Sequence, residues 1–523
     1  MNNLQTILDT KKHLRQFLYA WGFLFSSTSV SRDDFPFYGT WSFHEIGNYK
    51  LLVSPQQKCY KVTSYNVTFI LIGHAYNPIS GETNELEILN QLADLYQSKI
   101  DLCWSVLNQL TGIFTLLIVE SDTVHIVGDA CCIQATYYTE SKTSLHISTH
   151  PHLLADILGL QMDSYVKQLK EYRFFPLLGS CLPGNISPYK EAKRLVPNHY
   201  VTWKKDKGCS HKRFFTPVRQ NLTSNAIADQ VAELLSASMD IIPSKWEKPA
   251  ISMTGGCDSK TTLSCTCKSY HQYTYFSYIS SESEEVDAVA AQKICKSLNL
   301  PHTIHNISSD DKDFPDIEDI RAILFCNTDA LRQTNKNDVR KRCYFTTIKD
   351  FDVEVKSWCS EIGRAYFSKR FAGRTNFGKI ATPRKCTTLY KFFLHNRNLV
   401  RKTDAIFKEY LENFFQQNAT APIPWQDQFF WEFRVPAWNA GVITGEHRFS
   451  FDITIPYNNR IILQLLLSAS DNEKIADTIY SLIRQKMNPG IDQTGPTIVN
   501  LKHTNNRARF ENLYYILHSV FPL

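Results

Sequence analysis

The sequence predicts an α/β protein in two parts: a β-rich, layered half, then a doubly wound parallel sheet carrying many helices. Three observations predict it. From about residue 36 to 147, short β-branched runs are bounded by turn residues. From 249 to 304, strand-like and helix-like runs alternate, which is the pattern of a parallel sheet. From about 310 to 510 the pattern is mostly helical, without a detectable repeat.

The elements follow in order. Met1–Ser27 is not a signal peptide: its apolar run, Phe17–Phe25, lacks a small-residue cleavage site and is too short to span a bilayer. Residues 1–35 read as an N-terminal extension. Val67–Ile72 is a strand closed by Gly73, Ile113–Val119 a strand opened by Gly112, and Val124–Val127 a strand closed by Gly128-Asp129. Between the first two, Glu85–Tyr96 reads as an amphipathic helix with Leu86, Ile88, Leu89, Leu92 and Leu95 apolar. Residues 148–215 are mixed, with turns at Pro183-Gly184-Asn185 and Val196-Pro197-Asn198 and a strand at Tyr200–Trp203. Val218–Asn225 reads as a linker and Ala226–Met239 as a helix.

The parallel unit then begins. A strand at 249–254 runs into the turn Thr254-Gly255-Gly256, and a helix starts near Asp258. A second strand, Tyr273–Tyr278, is followed by the helix Glu285–Leu298, and His302-Thr303-Ile304 opens a third strand. Such sheets bind ligands beyond the carboxyl ends of their strands, where this glycine turn lies.

Composition bounds the function. The chain has 523 residues, 43% of them hydrophobic, enough for more than one domain. The net charge of +6 is spread out and no aromatic-plus-basic motif accompanies it, so nucleic acid is not an expected partner. No apolar run reaches the ~20 residues of a membrane span. The 14 cysteines show no zinc-type spacing and read as free thiols, so the protein is expected to be soluble and cytoplasmic.

The stretch Ser252-Met253-Thr254-Gly255-Gly256-Cys257-Asp258-Ser259-Lys260 carries the chemistry. Two glycines let backbone N–H groups approach an anion, and the helix that follows presents its positive end. Thr254 and Ser259 add hydroxyls, Lys260 a cation, and Asp258 a possible magnesium ligand. The Walker A spacing is absent.

Thr254–Ser259 resembles the S-G-G-x-D-S pyrophosphate loop of the adenine nucleotide alpha-hydrolase, or ATP pyrophosphatase, class. The wider pattern resembles its asparagine synthetase-like branch, with Tyr275–Tyr278, including Ser277 and Tyr278, at the adenosine-side strand and Ser283–His305 behind it. Upstream, Ile72–Asn77, Leu110–Phe114, Val127–Tyr138 and Leu195–Trp203 resemble that family's class II glutamine amidotransferase-like domain. Downstream, Asp452–Arg460 and Ile483–Gly490 resemble its C-terminal helical segments. The resemblance implies an amidotransferase-like sandwich over 36–217 and an ATP-pyrophosphatase synthetase domain over 218–523.

Two departures matter. Glutamine-dependent members use an N-terminal cysteine; residue 2 here is Asn2 and the first cysteine is Cys59. The sandwich is therefore expected to be an inactive, degenerate remnant, as in β-lactam synthetases and lasso-peptide cyclases. Second, the family's S-G-x-G-A-D-E acids become Ala365 and Tyr366 in Ser360–Tyr366. Glu361 can supply the missing metal-binding carboxylate and Arg364 can hold a phosphate or substrate carboxylate; alternatively the two form a surface ion pair. Lys474 and Lys486 lie where relatives place a catalytic lysine, and spacing does not choose between them or against a solvated helix face. His447, in Thr444–Asp452, is a catalyst or a structural histidine.

The implied function is a magnesium-ATP-dependent amide ligase. It adenylates a small-molecule, saccharide or peptide carboxylate for attack by an amine. Three rivals stand beside it: a nucleotide-binding or scaffold protein without catalysis, a lasso-peptide-type macrocyclase, and an adenylating enzyme that ends in sulfur transfer, for which Cys257 is the nearest thiol.

Overall fold

A computed structural model describes residues 2–520 apart from 178, 330, 332, 333, 392, 393, 416–422 and 495–504. Twelve strands build the first part: β1 (Phe23–Ser26), β2 (Ser42–Ile46), β3 (Tyr49–Val53), β4 (Cys59–Ser64), β5 (Val67–Tyr76), β6 (Thr111–Val119), β7 (Thr123–Gly128), β8 (Tyr137–Thr139), β9 (His146–Ser148), β10 (Ala192–Arg194), β11 (His199–Lys204) and β12 (Gly208–Arg213). They form two antiparallel six-stranded sheets, ordered β10-β8-β9-β1-β3-β2 and β12-β11-β7-β6-β5-β4.

The sheets stack face to face. On β5, Ile70 and Ile72 meet Phe23, Phe25 and Leu51 of the first sheet. The alternate residues Phe69 and Leu71 pack on the helices Glu85–Ser98 and Ile100–Gln109. Both faces of β5 are thus buried, which is why its sequence is continuously apolar rather than alternating. The second of those helices was not expected, and Leu86, expected on the apolar face, is exposed.

Gly73 and Gly112 do not end strands but lie inside β5 and β6. Their φ angles are +124° and +149°, and a Cβ on either would stand 2.1 Å from a carbonyl oxygen of the opposite strand. Only glycine permits that approach.

β1 lies within the segment read as an extension, yet it occupies the middle of its sheet, between β9 and β3. Four residues are too few to show a period, but Phe23 and Phe25 fill one core and Leu24 another. The residues before β1 dock on the helix Ile317–Asn327: the Tyr19 amide donates to Asn327 Oδ1 (2.6 Å), and Lys11 pairs with Asp316 and Asp319 (2.5 Å each).

The second part holds β13 (Pro249–Ser252), β14 (Thr274–Ile279), β15 (His302–Asn306), β16 (Val353–Val355) and β17 (Asp452–Thr454). They form one parallel sheet ordered β15-β14-β13-β16-β17. The chain winds outward from β13 in one direction and then in the other, so the sheet is doubly wound. β16 and β17 fall in the stretch expected to be mostly helical, and Asp452–Thr454 in particular had been read as part of a helical segment. At three residues each they carry no readable period. The expected linker is tied down: the Val218 amide donates to Gln464 Oε1 (3.1 Å) and the Gln220 amide to Ser468 Oγ (2.9 Å).

Three residues after β17 join the two parts. Asn458 Nδ2 donates to Gly112 O (2.6 Å) and Asp129 Oδ1 (2.9 Å), while its Oδ1 accepts the Cys131 amide (2.9 Å). Asn459 Nδ2 donates to Gln109 O (2.7 Å) and Thr111 Oγ1 (3.0 Å). The buried Arg460 guanidinium donates to the carbonyls of Gly128 and Asp129 (3.0 and 3.1 Å) and to Asn198 Oδ1 (3.1 Å). Asn458→Ala would remove three buried hydrogen bonds between the parts at about 1 kcal/mol each; the Cys131 amide and Asp129 Oδ1 would keep each other. Urea unfolding should show a loss of roughly 3 kcal/mol or more; a loss under ~1 kcal/mol would mean that this junction does not hold the parts together.

Candidate functional site

A cavity of about 500 Å³ opens at the carboxyl ends of β13, β14 and β16. β13 and β16 flank the point where the strand order reverses, the place where a doubly wound sheet leaves a crevice. Ser252, Met253 and Thr254 leave β13 into it, Ser277 and Tyr278 end β14, and Lys356, Ser357 and Trp358 follow β16.

The turn after β13 feeds the helix Cys257–Cys265, whose residues are all buried except Asp258. A buried helix of this polar composition needs internal partners. Thr261, Thr262 and Ser264 each donate to the carbonyl four residues back, at 2.9–3.1 Å. The turn is closed on itself: Thr254 Oγ1 and Ser259 Oγ lie 2.8 Å apart, and Thr254 Oγ1 accepts the Gly256 amide (3.2 Å). The Gly255 amide donates to Asp287 Oδ1 (3.3 Å). The glycine N–H groups expected to be open to an anion are therefore engaged by side chains, which an anion would have to displace.

The cavity brings two predicted acids together. Asp258 and Glu361 both line it, and burial, then the charge of Asp258, pushes the Glu361 carboxyl up to about 7. Burial also raises Asp258. Its Oδ1 is buried without a hydrogen-bond partner among the described residues, while Oδ2 accepts from Arg364 Nη1 (2.5 Å). Arg364 in turn holds Asp477 through Nε and Nη2 (2.8 and 2.9 Å). The surface pair of Glu361 with Arg364 is not formed; the arginine binds Asp258 and Asp477.

Several lining residues were not singled out from sequence. Lys356 is buried, pairs with Glu354, and brings Nζ 3.4 Å from Ser252 Oγ and 5.4 Å from the Trp358 ring. Trp438 and Asn439 enter from the π-helical stretch Pro436–Thr444, a backbone form frequent at functional sites. His447 also lines the cavity. Its ring stands edge-on to Trp358 (4.9 Å, 88°) and its Nδ1 is buried without a partner. Burial, then Arg342, Lys356 and Lys341, holds this imidazole well below its usual range, so it is neutral at pH 7. A lysine directly after a parallel strand was the one available signal, and a three-residue strand hid it.

Other predicted residues lie elsewhere. Lys260 is buried on the helix with Asp492 4.0 Å away and does not line the cavity. Lys474 is buried in an ion pair with Asp427, with Asp471 at 2.9 Å. Lys486 is exposed and pairs with Asp229. Neither lysine reaches the cavity lining. Cys257 is buried, as a spacer would be, and Arg484 Nη1 lies 3.2 Å from its sulfur. All the cysteines are free. No helix among the described residues is long and apolar enough to cross a membrane.

No family model and no curated protein matches the chain. Among solved structures, the chain is similar to glutamine phosphoribosylpyrophosphate (PRPP) amidotransferase from B. subtilis complexed with ADP and GMP. The two are 9% identical over 69% of this chain and 73% of that one, with a TM-score of 0.23. It is also similar to a structure described as the allosteric regulatory enzyme of purine biosynthesis, 10% identical over 77% of this chain and 91% of that one, TM-score 0.23. Likeness at this level says nothing about activity.

Two outcomes test this geometry. Glu361 ionises near 4.5 when unfolded and near 7 when folded. The fold therefore favours the protonated acid, a contribution complete below about pH 4.5 and lost as pH rises through about 7. Thermal melts from pH 5 to 8 should show Glu361→Gln gaining on the native chain up to about pH 7; a constant gap would mean that Glu361 is neither buried nor beside the charge of Asp258. Lys474→Met should cost ~3–5 kcal/mol by leaving Asp427 buried and unpaired, read in urea unfolding. A loss under ~1 kcal/mol would mean that the pair is not buried.

Proposed function

We propose that the protein is an ATP-dependent carbon–nitrogen ligase that adenylates a substrate carboxylate, releases pyrophosphate, and passes the acyl group to an amine without hydrolysing glutamine. One observation carries this reading: the S-G-G-x-D-S-like turn opens onto a cavity at the strand-order reversal, with four carboxylates and a lysine around it. The cavity exceeds the ~300 Å³ at which small-molecule pockets begin. On this reading residues 36–217 are an inactive amidotransferase-like domain and 218–523 the synthetase.

Asp258 and Glu361 would hold magnesium on this reading, with no larger cluster of metal-ligating side chains among the described residues. Asp258 offers a buried oxygen without a hydrogen-bond partner among the described residues, and a cation would offset the unfavourable proximity of Glu361 to that charge. One or two carboxylates are the usual protein share of a magnesium site, the rest being phosphate oxygens and water. Magnesium there would neutralise phosphate charge. The chain's own part is positioning: Thr254 and Ser259 hold the phosphates by hydroxyl, Lys356 supplies the cation that Lys260 was expected to supply, and Trp358, Trp438 and Asn439 wall the space for the carboxylate. The carboxylate oxygen attacks the α-phosphorus, pyrophosphate leaves, the amine nitrogen adds to the acyl carbon, and AMP leaves with the bonding pair.

A second reading, a nucleotide-binding protein without catalysis, is favoured by the Arg364 guanidinium, which occupies one oxygen of Asp258, and by Ala365 and Tyr366 in place of acids.

The test is pyrophosphate release and ATP–pyrophosphate exchange with pools of carboxylates and amines. Asp258→Asn should abolish exchange while the protein stays folded. Lys356→Met should weaken ATP binding about 10- to 100-fold, equivalent to ~1.4–3 kcal/mol, and Lys260→Met should leave it within a few-fold. ATP binding without release from any pool would favour the non-catalytic reading; exchange retained in Asp258→Asn would end the ligase assignment.

A further inference from the structure

A second cavity, of about 280 Å³, lies far from this chemistry in composition and shares none of its lining residues. Three elements enclose it: the start of the helix Ser164–Glu171, the segment from Ile186 to Lys193, and the helix Arg397–Phe414. Its floor is apolar. Val166, Ala192 and Tyr189 are buried there, and Ile186 and Ile406 are half-buried on the edge of the core cluster formed by Tyr165, Val166, Leu169 and Leu399.

The polar groups of the wall are already satisfied. Tyr165 Oη pairs with Thr403 Oγ1 (2.8 Å), Tyr189 Oη with His152 Nδ1 (2.5 Å), and Ser187 Oγ donates to Tyr189 O (2.8 Å). Asp163 Oδ1 accepts the Tyr165 and Val166 amides (2.7 and 3.4 Å), which leaves the lining one carboxylate. Lys190, Lys193 and Lys402 also line the cavity; of the three, only Lys193 has an ion-pair partner among the described residues, Glu409 at 3.7 Å. An apolar slot that sets three ammonium groups against one lining carboxylate selects a molecule with one apolar body and one anionic end.

We propose that this cavity binds a medium-chain carboxylate, its chain on Val166, Ile186 and Ile406 and its head among Lys190, Lys193 and Lys402. This site is independent of the proposed ligase chemistry. Ammonium groups act here as point charges on flexible stems, so recognition of the head should be salt-sensitive.

Sodium decanoate, titrated calorimetrically into the full chain, tests it. The expected result is saturable one-to-one binding that weakens at least tenfold in Lys190→Glu/Lys402→Glu and at high salt, with 1-decanol binding at least tenfold more weakly. Ala405→Trp, at an exposed lining position, should abolish it by filling the slot. No saturable decanoate binding, binding that survives Ala405→Trp, or equal affinity for decanoate and decanol would each overturn the proposal. Circular dichroism and ATP binding of the variants, expected to match the native chain, separate loss of this site from loss of fold.

Discussion

A guanidinium buried at the junction of the two parts helps to hold this molecule together. Arg460 lies at the start of the helix after β17, and its acceptors among the described residues are backbone carbonyls at the end of β7 and the Asn198 side chain. Burial pulls it down to about 10, so it keeps its charge at neutral pH. A buried cation in this position tolerates little displacement, because each carbonyl is within hydrogen-bond range only in one docking of the two parts. Asn458 and Asn459 add amides that read both strands of the sandwich edge. Asp129, in turn, orders its own loop by accepting the amides of Cys131, Ile133 and Gln134 at 2.9–3.1 Å.

That junction positions the cavity. β17 is the outermost strand of the parallel sheet, and fixing its exit fixes β16 beside it, since the two pair through Val353–Val355 and Asp452–Thr454. The Lys356 amide donates to Thr454 O (2.9 Å), which carries the ladder one residue past β16 and aims the lysine at the strand ends. The helix Cys257–Cys265 is set by the opposite means: small hydroxyl residues that satisfy themselves let it sink into the core, and Thr262 meets Ser357 of the β16 loop at 2.7 Å.

The cavity's electrostatics are unbalanced as it stands. Asp258, Glu284, Asp287 and Glu361 face it, and Lys356 is its lysine. Burial tends to raise Glu284, but Ser280 and Lys341 outweigh it and the carboxyl ends lower than usual. Asp287 is raised by burial despite the Gly255 amide. Neutral His447 and the two indoles also line it. On the proposed reading a cation would offset the acids and the uncharged side chains would take the organic group.

Much of this was legible in the sequence, and the boundary follows the range of the forces involved. Alternation of strands with helices, the glycine turn before Asp258 and the long buried runs of β5 and β6 depend on local steric and hydrophobic periodicity, which a sequence records directly. Glu361 as a second candidate acid beside Asp258 came instead from the family resemblance of Ser360–Tyr366, because no local pattern links two positions so far apart in the chain. β1, β16 and β17 were not legible as strands because three or four residues hold no period, and their conformation is imposed by the neighbours they pair with. Lys356, Trp438 and Asn439 came from separate stretches that only the sheet order brings together. Lys260, Lys474 and Lys486 looked alike in sequence; their partners Asp492, Asp427 and Asp229 are distant or unpatterned positions, and a lysine's role is decided by the charge that tertiary packing places opposite it.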